Sequence, residues 1–81
     1  MTRVEKLINK FLRNPQSLKY VEIERILLSL GFVKNTGKGS HVKFSHPIYN
    51  LQFIISIHNN ECKKIYKKEI AQGIRWLMGK A

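Results

Sequence analysis

Apolar residues recur at helical spacing near both ends of the chain and alternate with polar ones in its middle. Val4, Leu7, Ile8, Phe11 and Leu12 fall on one stripe of a helix predicted over residues 2–13. Thr2 and Glu5 stand at capping-box spacing, where each side chain can satisfy a free backbone N–H. Asn14-Pro15 stops that helix, because a residue before proline avoids helical geometry. A second helix is predicted from Tyr20 to Leu30, with Ile23, Ile26, Leu27 and Leu30 as its stripe. Gly31 follows where a left-handed cap is expected.

The period then changes. Phe32 to Asn35 reads as a short strand, and Thr36-Gly37-Lys38-Gly39 as a turn. His41-Val42-Lys43-Phe44-Ser45 alternates, the mark of a half-buried strand. His46 to Asn50 turns the chain again, and Leu51 to Ile57 is a third, more apolar strand. Asn59-Asn60-Glu61 breaks it. From about Lys63 to Met78 the helical period returns, with Tyr66, Ile70, Gly73, Ile74 and Leu77 on one side and Gly79 closing the helix. The predicted order is α-α-β-β-β-α, an α+β fold with a three-stranded antiparallel sheet and helices packed on one face.

That arrangement leaves the other face of the sheet open. Val42 and Phe44 point to the helices, so His41, Lys43 and Ser45 point outward. On the third strand Phe53, Ile55 and Ile57 are the stronger apolar set, which turns Gln52, Ile54, Ser56 and His58 outward. By parity His41 and His58 share the open face, whereas their separation depends on a register that parity does not fix.

Composition adds one strong constraint. The chain has 81 residues, room for a single domain, and 43% of them are hydrophobic, so it can hold a core. Fifteen Lys and Arg against five Asp and Glu give a net charge of +10. Such a surface attracts polyanions, with nucleic acid the first partner to consider and an anionic membrane or acidic protein the next. The single Cys62 makes no internal disulfide, which excludes a secreted disulfide scaffold and suits the reducing cytoplasm. No apolar run approaches the roughly 20 residues of a membrane span. The opening Thr2-Arg3-Val4-Glu5 leads into an amphipathic pattern, unlike a signal peptide.

Gly37-Lys38-Gly39-Ser40-His41 is the stretch richest in candidate chemistry. A glycine turn leaves backbone N–H groups free to meet an anion, and Lys38 adds positive charge. His41 follows directly, and an ordinary imidazole gives and takes protons near neutral pH. The same turn also reads as a plain hairpin loop with a surface histidine. It is no Walker loop, since the glycine spacing differs and no helix follows. Lys63, Lys64, Lys67 and Lys68 gather at the start of the last helix, where the helix dipole disfavours cations. They read either as a phosphate-binding surface or as a solvated face. Phe11, Phe32, Phe44 and Phe53 read as core, Tyr49 as a loop residue able to stack on a base, and Trp76 as packing at the end of the last helix. His41, His46, His58 and Cys62 have the right types for zinc but none of the paired spacings, so no metal and no cofactor is expected.

Leu30-Gly31-Phe32, then Lys38-Gly39-Ser40-His41-Val42-Lys43-Phe44, then a strand ending at His58 and a terminal helix resemble the HicA toxins of bacterial HicA–HicB toxin–antitoxin systems. The similarity covers residues 18–78. The family pattern is G-F, then K-G-S-H-x-x-[F/Y], then a strand closing in P-x-H. Here Ser56 stands where the proline is usual, while His58 is retained. Residues 2–16 form an N-terminal extension to a core of residues 17–81. The resemblance implies a fold like that of double-stranded-RNA-binding domains and a ribonuclease that cuts mRNA, halting translation. It makes His41 the catalytic histidine, and it implies a HicB-like antitoxin whose acidic face covers the site.

Chemistry suggests how such a site would work. RNA supplies its own nucleophile, and His41 as general base could activate the 2′-OH without a metal, a contribution of about 10²–10⁴-fold. Lys38 and Lys43 could stabilise the phosphorane, and His58 or Lys38 could protonate the leaving oxygen. Lys38, Gly39, Ser40 and Lys43 around the turn, with Lys63, Lys64 and Lys67 on the last helix, are the candidate RNA contacts. A non-catalytic RNA-binding module is the alternative, distinguished by having no use for His41. A DNA-binding regulator fits least, because no short glycine turn joins a scaffold helix to a basic recognition helix.

Overall fold

A computed structural model describes residues 2–80; Met1 and Ala81, the ends of the expected domain, lie outside the described residues. The elements run α1 (Arg3–Arg13), a short 3-10 turn (Pro15–Ser17), α2 (Tyr20–Ser29), β1 (Val33–Thr36), β2 (His41–Ser45), β3 (Gln52–His58), β4 (Glu61–Cys62) and α3 (Lys64–Lys80). The strands form one antiparallel sheet in the order β1-β2-β3-β4.

The sheet therefore has four strands where three were expected. Asn59-Asn60 does not end the sheet. Both residues take positive φ, 52° and 61°, as a two-residue hairpin turn requires, and asparagine tolerates that geometry. The chain reverses through them and pairs His58 with Glu61 and Ile57 with Cys62. The first strand begins one residue later than predicted, because Phe32 is drawn into the core. The last helix runs on through Gly79 to Lys80.

Both predicted caps of the first two helices form. The Glu5 N–H donates to Thr2 Oγ1 at 3.1 Å while the Glu5 carboxylate accepts from Thr2. At the end of α2, Gly31 has φ +96°, its N–H donates to Leu28 O, and the Phe32 N–H donates to Leu27 O. That pair of bonds is the Schellman arrangement, and it turns Phe32 back onto the helix it has just left.

The core lies between the helices and one face of the sheet. Val42, Phe44, Phe53 and Ile55 enter it from β2 and β3, as alternation predicted. Ile23, Ile26 and Leu27 enter from α2, and Ile70, Ile74 and Leu77 from α3. Gly73 lets α3 approach closely, since a Cβ there would meet the Phe53 ring at 2.5 Å. The first helix shares this core. Ile8 and Phe11 are buried in the same cluster as the sheet residues, and Arg75 of α3 donates to Leu12 O at 2.8 Å.

His46, in the turn before β3, has a structural task. One ring nitrogen lies 3.0 Å from Leu30 O, and the other accepts from the Ile48 and Tyr49 N–H groups. Its ring stands edge-on to Phe32 and beside Tyr49, which in turn meets Trp76 edge-on at 6.1 Å.

Phe11 contacts no solvent, so its removal should show how far α1 belongs to the fold. Phe11→Ala should cost about 3–5 kcal/mol. That equals the roughly 3–5 kcal/mol a core of this size supplies. Chemical denaturation should find a large unfolded fraction, about half, already present in buffer at 25 °C; a shift below about 1 kcal/mol would mean that α1 is only an appendage.

Candidate active site and basic surface

The β2–β3 register answers what parity left open. His41 pairs directly with Ser56, so His58, two residues further on, is its diagonal neighbour on the same face. Such neighbours lie roughly 7–8 Å apart, within reach of one small substrate group between them. Both histidines are exposed, as are Lys43 and Ile54 beside them. The helices cover the opposite face, so solute can reach this row without any element moving.

Ser56 Oγ lies 3.3 Å from His41 Nε2. The serine that departs from the expected motif is thus the residue that touches the candidate base. The pairing was illegible in the sequence because it depends on register alone.

The loop before His41 is tight. Gly37 N–H donates to His41 O at 2.9 Å, and Gly39 takes φ +68°. The N–H groups of Lys38, Gly39 and Ser40 donate to nothing among the described residues. They and the exposed Lys38 ammonium crown the sheet end that carries His41 and His58. These are the free backbone donors expected of the glycine turn.

The lysines at the start of α3 divide. Lys63, Lys64 and Lys68 are exposed. Lys67, expected among the RNA contacts, is instead buried with 7% of its surface accessible. Its ammonium donates to Leu18 O at 2.8 Å and pairs with Glu61 Oε1 at 3.2 Å. The reason is periodicity: position 67 lies one turn before Ile70 and Ala71 and so on the buried side of the helix. That signal was present in the sequence, but the run of like charges masked it.

The same Glu61 oxygen also accepts from the Tyr20 and Cys62 N–H groups. Burial pushes the Glu61 carboxyl up. Hydrogen bonds from Cys62 and Lys67, the Lys67 charge and the bond from Tyr20 outweigh it and hold the group below its ordinary value. Burial raises the Cys62 thiol, and Lys67 only partly offsets this, so Cys62 is a poor nucleophile. Among the described residues no three His, Cys, Asp or Glu side chains gather as a metal site would require. Nor is any described helix long and apolar enough to cross a membrane.

A family model described as the HicA toxin of bacterial toxin-antitoxin systems matches residues 20–75. The match begins at α2 and leaves α1 outside it. No curated protein and no solved structure matches the chain.

The Glu61 carboxyl predicts an acid limb of stability. Its folded-state value is depressed, so its contribution is complete above the ordinary value of 4.5 and is lost as pH falls through the lowered folded value. Glu61→Gln should be less stable than the parent at pH 7 and should lose less on acidification from pH 5 to pH 3. Denaturant titrations across that range check it, and parallel curves for the two proteins would refute the assignment.

Proposed function

The chain belongs to the HicA toxin family, and we propose that this toxin of a toxin–antitoxin system acts as a metal-independent endoribonuclease on mRNA with His41 as its base. The observation that carries the reading is the pairing of an exposed His41 with Ser56 beneath a loop of unpaired N–H groups. A binding surface has no need of a fixed imidazole there, whereas phosphodiester transfer needs both a base and anion donors.

The geometry supports the following mechanism. An imidazole that donates Nε2–H to Ser56 Oγ carries its lone pair on Nδ1, which has no partner among the described residues. Nδ1 takes the proton of the 2′-OH. The 2′ oxygen attacks the adjacent phosphorus, the bond to the 5′ oxygen breaks, and a cyclic phosphate and a 5′-OH result. The N–H groups of Lys38, Gly39 and Ser40, with Lys38 and Lys43, meet the charge that develops on the phosphoryl oxygens. His58 is the preferred acid for the leaving oxygen, because it is diagonal to His41 on the same face. Lys38, on the loop above, is the other candidate. The 2′ oxygen supplies the nucleophile, so the scheme involves no metal.

A toxin of this family implies an antitoxin partner. We assign it a HicB-like character, with an acidic surface laid against the open face. The net charge of +10 supports that choice. Cytoplasmic action follows from an mRNA substrate.

His41→Ala should lower the rate of RNA cleavage in EDTA by about 10²–10⁴-fold while RNA affinity is retained. Ser56→Ala should reduce kcat more than it changes KM and should alter the pH–rate profile, with Ser56→Thr restoring much of both. Equal cleavage by the parent and His41→Ala would remove His41 from the chemistry. Tight RNA binding without cleavage by either would make the chain a non-catalytic RNA-binding module.

A further inference from the structure

Outside the family match, α1 carries a second regular pattern. Arg3, Lys6, Lys10 and Arg13 recur at spacings of three, four and three residues, on the side opposite the buried stripe. They span eleven residues, about 15 Å of helix from first to last. None of the four is in an ion pair among the described residues.

Two surface grooves extend this row. The first, about 460 Å³, is lined by Lys6, Asn9, Lys10, Arg13, Asn14 and Ser17. The second, about 340 Å³, lies between α1 and α3, with Arg13, Gln16, Lys68, Gln72 and Arg75 on its walls beside Leu12, Pro15 and Ala71. Arg13 lines both, so the two grooves adjoin at that residue. Among the described residues no carboxylate lines either groove. Gln16 donates to Lys64 O at 3.2 Å, which fastens the end of the track to the first turn of α3. Lys63 there follows β4 directly, and β4 lies two strands from β2. Two strand spacings are about 10 Å.

We propose that this track binds the phosphate backbone of single-stranded RNA and leads it round the α3 edge towards His41. The proposal rests on the nuclease reading for its destination, but not for its chemistry. Protein interfaces centre on apolar and aromatic anchors. The large exposed apolar residues, Val21, Leu28, Val33, Ile48, Ile54, Ile65, Trp76 and Met78, all lie outside both grooves. A backbone track needs what these grooves do contain: spaced cations with amide and hydroxyl groups between them. Residues 3–13 thereby extend a site whose reactive end lies in the matched core.

The test is binding of a 20-nucleotide 2′-O-methyl RNA, which lacks the nucleophile and stays intact whatever the catalytic residue. Salt dependence is measured for the parent and for Lys6→Gln/Lys10→Gln/Arg13→Gln. Each lost phosphate contact should reduce the slope of log K against log salt by about 0.7, so the variant should be shallower by about 2. Lys6→Arg/Lys10→Arg, which keeps the charges, should retain the parent slope, and matching melting curves show that all three proteins are folded. An unchanged slope in the neutral variant overturns the proposal. So does loss of antitoxin binding with the RNA slope intact, which would assign the track to the protein partner. Cleavage of ordinary RNA by the parent is read separately: binding through the track with no cleavage supports the track and defeats the nuclease reading.

Discussion

The arrangement turns on one carboxylate. A single oxygen of Glu61 receives the Lys67 ammonium, the Tyr20 N–H at the start of α2 and its own neighbour's N–H at Cys62. Lys67 in turn donates to Leu18 O, at the end of the connection from α1. The group therefore ties together α2, α3, β4 and the link from the first helix. An anion at the start of α2 also opposes the helix dipole favourably. Removing Glu61 leaves the buried Lys67 ammonium with Leu18 O as its partner, and that costs more than an exposed ion pair is worth. β4 is held at the sheet edge by its pairing with β3 and by this contact. The basic start of α3 emerges from β4, so the approach to the open face is set by it too.

The open face is a consequence of amphipathic bookkeeping at the level of the strand. Residues that alternate on β2 and β3 commit one side to the helices, and every polar side chain between them must emerge on the other. His41 is in the right place because Val42 and Phe44 are buried. Its exposure and its neighbours' packing are thus specified by the same five residues of β2. A one-residue slip would bury the imidazole and expose the phenyl ring.

Much of this was legible from periodicity. The three helices, both glycine-dependent turns, the two faces of the sheet and the placement of His41, Lys43 and His58 on the outer one follow from spacing alone. What was not legible depends on distance across the chain. Glu61 bonds to groups on two other elements, α2 and α3, and nothing local in Asn59-Asn60-Glu61 distinguishes a chain break from a hairpin turn. Ser56 meets His41 only through the strand register. Lys67 was misread for a different reason, because charge was weighed above helical phase. His46 had no local signal either, since its partners include Leu30, sixteen residues away.

The division of labour between charges explains why so basic a chain folds. Four of its five carboxylates hold structure: Glu5 caps α1, Glu22 accepts from the Lys19 N–H before α2, Glu24 bonds the Tyr20 hydroxyl and pairs with Lys34, and Glu61 forms the junction described above. Among the described residues only Lys34 and Lys67 of the Lys and Arg side chains are in ion pairs with them. Acidic groups are thus consumed by the fold, and the cations remain uncompensated on the surface. Their mutual repulsion weakens a domain of this size, and it is relieved by whatever polyanion binds. On the proposed reading, RNA on the basic track and an acidic antitoxin would both draw on that relief, so each would stabilise the folded toxin through the same unpaired charge.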